Sequence, residues 1–339
     1  MFPCYLSHTR THQDRGHFPK SVYWLRLSNW NSNWPLFLNS RQAGSDCFAI
    51  LLCRMPNILM LAGNAHSKPQ SLKKPFMLTL LSPAKSLDLT PFDGGISPTE
   101  PRFPEQSARL LKSLKRLKPK HIAELMDISK ALSELNYERF QRFEDQTPGT
   151  AAFMFDGDVY SGLEARTLDT AGLEWAQDHI RILSGFYGVL RPLDLIRPYR
   201  LEMGSQLKTG RAESLYQFWG DILAKSLTEE LKTQGDDTIV NLASTEYSRA
   251  ALTRALKAKV VSPRFLEIKG NEAKVVSFFA KKARGLMARY MIDNRVDRID
   301  GLKDFNIADY QFRSDLSKDG DWVFTRPQPA LVTKVKKAA

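Results

Sequence analysis

Four cations crowd one short stretch, Lys281, Lys282, Arg284 and Arg289, within Phe278-Phe279-Ala280-Lys281-Lys282-Ala283-Arg284-Gly285-Leu286-Met287-Ala288-Arg289-Tyr290-Met291. On a helix, Phe279, Leu286, Met287, Tyr290 and Met291 cluster on one side. Lys281 and Arg284 share one neighbouring stripe, and Lys282, Gly285 and Arg289 share another. Such a face suits a polyanion backbone, because each neutralised phosphate releases counterions; the alternative is a solvated basic face. Gly285 costs about 1 kcal/mol of helix propensity relative to alanine. Its place in mid-helix implies that another element, or a phosphate, comes close to the backbone there.

A second group of cations, Arg191, Arg197 and Arg200, lies among Pro192, Pro198 and Tyr199. Guanidinium in a constrained loop recognises phosphate or carboxylate bidentately, and internal pairing with Asp194 or Glu202 is the competing reading. Gly185 and Gly188 bound a hairpin inside 180–193, where a helix-hairpin-helix would present backbone N–H groups to phosphate. A rival location is 120–143, with Asp127-Ile128-Ser129-Lys130-Ala131 as the turn and no glycine. An enzymatic alternative uses Lys85, Asp158, Tyr160, Glu202 and Lys281, with Ser82 nearby, for acid–base work on a phosphorylated or nucleotide-like substrate. The sequence has no Gly-x-x-x-x-Gly-Lys loop and no Gly-x-Gly-x-x-Gly after a strand. His121 and His179, the two histidines after residue 76, read as helix-surface or packing residues rather than zinc ligands.

The elements that must position these residues begin at Met77. The first 76 residues hold nine Lys/Arg against two acids, all three cysteines, four of the six histidines and three of the six tryptophans. They show neither helical nor strand periodicity, and their one apolar run, 48–62, is too short and interrupted to span a bilayer. They are expected to be an extension outside the fold, translated from an early start codon, with a transit or interaction segment as the other reading. The remaining residues carry no cysteine, so thiol chemistry and thiolate metal ligation fall outside the body. Of the formal charge of +12, seven units belong to the extension and five to the body, so basicity there must be argued locally. No stretch after Met77 is long and apolar enough for a membrane, and a cytoplasmic location is expected.

Within the body, 78–81 reads as a buried strand. Helices are expected over 105–117, across 119–143 with a break near 127–129, along a stripe through Leu173, Ala176, Ile180 and Leu183, over 214–233, and over 281–296. Further strands are expected at 151–155, 239–242, 260–268, 273–279 and 322–325, with Lys269-Gly270-Asn271-Glu272 as a hairpin turn. Because helices and strands do not alternate regularly, the fold class is α+β rather than a doubly wound sheet: one compact mixed domain over 77–333, with a basic tail over 334–339.

Several longer motifs resemble the YaaA family of bacterial peroxide-stress proteins, in the family's order and over nearly all of 77–339. They are Leu-Leu-Ser-Pro-Ala-Lys-Ser-Leu-Asp (80–88), Phe-Asp-Gly-Asp-Val-Tyr-Ser-Gly-Leu (155–163) and Leu-Ser-Gly-Phe-Tyr-Gly-Val-Leu-Arg-Pro-Leu-Asp (183–194). Pro-Tyr-Arg-Leu-Glu-Met-Gly (198–204), Leu-Tyr-Gln-Phe-Trp-Gly-Asp (215–221), Asn-Leu-Ala-Ser-Thr-Glu-Tyr (241–247) and the cationic stretch 277–289 complete the set. The resemblance implies a fold peculiar to the family, with a basic cleft and a helix-hairpin-helix element. It also implies binding of duplex and branched DNA with little sequence preference, a place in peroxide response and DNA repair, and a lowering of free iron. Recombination and repair proteins would be further partners. No cofactor is expected, and no iron-storage site, since no ferritin-type carboxylate and histidine set is present. DNA contacts are assigned to Lys281, Lys282, Arg284, Arg289, Arg191, Arg197, Arg200 and Lys85, with Gly185 and Gly188 at the hairpin.

Overall fold

The computed structural model describes residues 76–92 and 95–329, together with two short strands, Leu6–Ser7 and Trp24–Leu25, that pair antiparallel. The chain divides into two units, Met1–Lys73 and Lys74–Ala339. The basic tail, and the expected extension apart from those strands and Phe76, lie outside the described residues.

The second unit is organised by one sheet. Its first strand, β1 (Leu78–Leu81), is buried along its whole length, as a strand covered on both faces must be. β2 (Ile180–Ser184), β4 (Thr238–Asn241), β5 (Lys259–Lys269) and β8 (Asp321–Pro327) run parallel with it, in the spatial order β8-β5-β4-β1-β2. Antiparallel additions flank this core: β3 (Gly188–Leu190) on β2, β6 (Glu272–Lys274) on β5, and β7 (Gln311–Phe312) on β8. Counting parallel strands in chain order, the arrangement is 2-1-3-4-5, one of the two common orders of open α/β sheets. The unit is therefore a mixed α/β domain whose sheet core is parallel, against the expectation that it would not resemble a doubly wound sheet. The alternation is hidden in the sequence because the crossovers differ greatly in length and short antiparallel strands interrupt them.

The first crossover carries α1 (Pro104–Leu114), α2 (Pro119–Met126), α3 (Lys130–Gln141), the single turn α4 (Tyr160–Leu163) and α5 (Thr170–His179). α6 (Leu215–Trp219), α7 (Ile222–Gln234) and α8 (Thr245–Ala251) follow. The expected helix over 214–233 is thus two helices, divided at Gly220, whose φ of +45° ends α6. α9 (Ser277–Asp293) starts four residues earlier than expected and packs on β1, where the Thr79 hydroxyl donates to the Met291 sulfur across 3.7 Å.

Three further expectations are corrected. Residues 151–154 form a helical turn rather than a strand. The stripe read as helix to Leu183 ends at His179, and Ile180–Ser184 is β2. The segment 180–193 is consequently a β-hairpin and not a helix-hairpin-helix. Gly188 takes φ +77°, and the whole turn 185–188 is buried, so its N–H groups cannot meet a phosphate. The rival location does form two helices, α2 and α3, joined by Asp127-Ile128-Ser129. Asp127 adopts the left-handed conformation (φ +48°) that glycine would otherwise supply, and Ser129 caps α3.

His179, at the end of α5, stacks on Trp175 at 3.7 Å and against Phe76 at 4.0 Å. Its Nδ1 lies 2.7 Å from the Trp175 carbonyl, which requires the proton on that nitrogen. Burial pushes its pKa down to about 4. The unfolded chain binds this proton first, so stability is complete above pH ~6.5 and falls as the pH drops towards about 4. The full loss is on the order of 3 kcal/mol, of which about 2 is reached by pH 5. Urea midpoints at pH 7 and pH 5 should differ accordingly for the native chain, and the His179 share of the difference should vanish in His179→Phe.

Candidate functional site

β1 and β4 are neighbours in the sheet, yet the chain leaves β1 on one side for β2 and returns past it to β4. Loops diverging from such a switch point leave a crevice outside the carboxyl ends of the strands. Ser82, directly after β1, and Ser244, just beyond β4, meet across it. The Ser82 hydroxyl accepts from the Ser244 N–H at 2.8 Å and donates to the Ser244 hydroxyl at 3.3 Å. The Ser82 carbonyl accepts from the Tyr160 hydroxyl at 3.0 Å. Three residues on, Lys85 Nζ lies 2.6 Å from Glu202, whose other oxygen accepts from Arg200 at 3.0 Å. Glu246, in α8, accepts from the Gly204 N–H at 2.9 Å and so ties the 198–204 loop to the same place.

Tyr160, Tyr199 and Tyr247 line the floor, and burial pushes all three hydroxyls above the usual phenol range. They therefore remain protonated. Tyr160 donates to a backbone carbonyl and Tyr199 sits 2.6 Å from the Ser184 hydroxyl. Tyr160 is a fixed neutral donor and not a base.

The far wall is α9, whose position is set by two glycines. A Cβ at Gly285 would stand 1.8 Å from the Val159 carbonyl oxygen, and one at Gly162 would stand 2.4 Å from the Lys282 carbonyl oxygen. α4 and α9 thus cross backbone to backbone, so the close approach implied by Gly285 is made by α4. The crossing brings Lys281 to 3.9 Å from Asp158. Because α9 descends from this crossing to Met291 at Thr79, it runs antiparallel to β1. Arg284 then stands about 10 Å above Met291, level with the end of β1 at Ser82.

The buried arc of α9 runs through Ala280, Ala283, Gly285, Met287, Ala288, Met291 and Ile292, and helical spacing places Arg284 at its centre. Among the described residues, Arg284 makes no hydrogen bond or ion pair, and desolvation holds its pKa below the ordinary value with no carboxylate opposing it. A half-buried guanidinium without a counter-charge leaves positive potential directed into the crevice.

The other cations assigned from sequence are placed differently. Arg289 spans Asp293 at 2.9 Å and the Leu163 and Glu164 carbonyls, tying α9 to the end of α4. Arg191 is held by Asp194 and the Glu100 carbonyl. Arg197 rests over the Phe143 ring, with its buried Nε unpartnered. Lys282 is exposed on the outer side of α9. Of the alternative set, Lys85 pairs with Glu202, Lys281 lies 3.9 Å from Asp158, and Tyr160 donates to the Ser82 carbonyl. Ser244, Glu246, Tyr199 and Tyr247 belong with that set and were missed, although Ser82 and Ser244 share a readable feature: each follows an apolar strand within three residues.

A concavity of about 860 Å³ lies elsewhere, at the amino ends of β4 and β5, lined by Asp237, Lys257, Lys259, Asp297 and Asp300 among others. Its charges alternate, and Lys259 already pairs with Asp237 at 3.4 Å. Size alone does not make it the site, because open sheets bind ligands at the opposite, carboxyl end. Among the described residues no helix is long and apolar enough to cross a membrane, and no three His, Cys, Asp or Glu side chains gather as metal ligands.

The sequence matches the model of the family described as "Peroxide stress protein YaaA" over residues 77–316. A UPF0246 protein of Caulobacter sp. (strain K31) is 53% identical over 255 residues, 75% of this chain and 100% of the relative. UPF0246 proteins of Ruegeria pomeroyi and Hahella chejuensis are 48% and 46% identical, each covering 74% of this chain and 99% of the relative.

Proposed function

The chain belongs to the peroxide stress protein YaaA family, and on that premise we propose that it is a DNA-binding protein of the peroxide response, acting without catalysis. Phosphate enters at Arg284 and Lys281, with Lys282 adding charge outside. The helix pair α2–α3 offers a second, sequence-independent backbone contact through its turn. Phosphate contacts carry no base identity, which fits binding of duplex and branched DNA alike. In the cell such binding would shield DNA while free iron is lowered. The observation that carries this reading is Arg284 in the buried arc of α9, without a counter-charge among the described residues. Three neutralised phosphates predict an affinity loss of roughly 40-fold between about 50 and about 200 mM salt. Mobility shifts of the full chain on a duplex measure it, and a salt-independent affinity would overturn the electrostatic account.

A second reading is supported by Lys85 paired with Glu202, and Lys281 near Asp158, at the strand-end crevice. That arrangement fits an enzyme acting on a phosphorylated or nucleotide-like substrate, with Glu202 or Asp158 as base. Turnover of labelled DNA or nucleotide, abolished by Glu202→Gln while binding persists, would decide for it.

A further inference from the structure

The crevice is poorly shaped for the backbone of an uninterrupted duplex. A cation track requires outward-facing charges in a row, yet Arg289, Arg191, Lys85 and Arg200 are closed on internal partners. Arg284, half-buried and without a hydrogen bond or ion pair among the described residues, lies one residue before Gly285 at the crossing of α4 and α9.

The first turns of α9 carry a different pattern. Phe278, Lys281 and Arg284 follow one another at intervals of three residues and form a continuous ridge from the helix tip into the crevice. Phe278 is 55% exposed, and Val275 beside it is 56% exposed. Lys281 stands between ring and guanidinium with its side chain 53% exposed, and its 3.9 Å separation from Asp158 is too long for a hydrogen bond. The six helical steps from Phe278 to Arg284 span about 9 Å along the helix, the reach of one nucleotide from phosphate to base. An aromatic face among cations is the usual platform for an unstacked base, whose π-face it covers whatever the sequence. The surrounding positive charge selects a nucleic acid over an apolar protein partner.

We infer that this ridge receives a single unstacked nucleotide, at a strand end or an unpaired position, with its base on Phe278 and its phosphate between Lys281 and Arg284. The inference rests on the DNA-binding reading and narrows its substrate class. Branch points and strand ends, where bases are already free of the stack, are then the preferred sites. Duplex DNA binds more weakly, through phosphate contacts alone.

The experiment uses the full chain and hairpin duplexes closed by a linker without bases and carrying 2-aminopurine, either paired inside the stem or unpaired in a one-nucleotide overhang. The native chain should bind the overhang about tenfold more tightly than the blunt stem and should quench the unpaired 2-aminopurine on binding. Phe278→Ala should remove both the preference and the quenching, leave blunt-stem affinity unchanged, and leave the urea midpoint near its native value, since the ring is exposed. Equal affinity for both hairpins, or quenching that survives in Phe278→Ala, overturns the inference while duplex binding stands. Failure to bind either hairpin removes the DNA-binding reading and this inference together.

Discussion

Arg284→Met will bind DNA at least about tenfold more weakly than the native chain while folding with equal or greater stability. The guanidinium sits at the centre of the arc that runs through Ala280, Ala283, Gly285, Met287, Ala288, Met291 and Ile292, with no hydrogen bond or ion pair among the described residues. In the free protein its desolvation is a cost without return. Methionine fills similar volume and needs no partner, so the fold should gain up to about 1 kcal/mol. In the complex the same change removes a charge-assisted contact to phosphate and should lower the salt slope by about one. Lys282→Met, on the exposed side, should weaken binding only slightly and leave stability alone. Mobility shifts and urea melts on the three proteins supply both readings. Native affinity in Arg284→Met, or a clear loss of stability, would show that the arginine is structural.

Gly285→Ala is the change expected to damage the fold most per atom added. Its methyl carbon would stand 1.8 Å from the Val159 carbonyl oxygen and 2.9 Å from the Leu163 nitrogen. Both are backbone atoms of the α4 crossing and cannot swing aside as a side-chain tip would. Helix propensity returns about 1 kcal/mol, against an overpacking cost of roughly 1–3 kcal/mol or more. With a contact this short the upper end applies, and the net loss should be about 2 kcal/mol or larger. Moving α4 also draws Asp158 away from Lys281 and Tyr160 away from Ser82, so DNA affinity should fall together with the urea midpoint. A variant as stable as the native chain would mean that α4 and α9 do not touch in solution. Gly162→Ala meets the same crossing from the other side, through the Lys282 carbonyl and the Leu286 nitrogen, and should behave alike.

Much of this was legible in the sequence for local reasons. The runs at 78–81 and 239–242 read as buried strands because each holds one polar residue, Thr79 or Asn241, among large apolar ones. Lys269-Gly270-Asn271-Glu272 turns a hairpin because Gly270 can take its φ of +61°, and Lys269 pairs with Glu272. Gly285 in mid-helix announced a close approach. Where the local signal is ambiguous the reading slipped: Leu173, Ala176, Ile180 and Leu183 keep helical spacing into a strand covered on both faces, which has no period of two to betray it.

The chain's own pattern thus determined most elements, the family motifs and the list of cations. Only the tertiary structure decided which cations are available. Arg284 and Arg289 look equivalent on one helix, yet Asp293 and the end of α4 neutralise one, while alanines surround the other. Alanine contributes too little hydrophobic signal to mark a buried stripe in a sequence, so Arg284 read as surface. A counter-charge, or its absence, is a relation between distant segments, and only the closing of α4 and α9 over the ends of β1 and β4 establishes it.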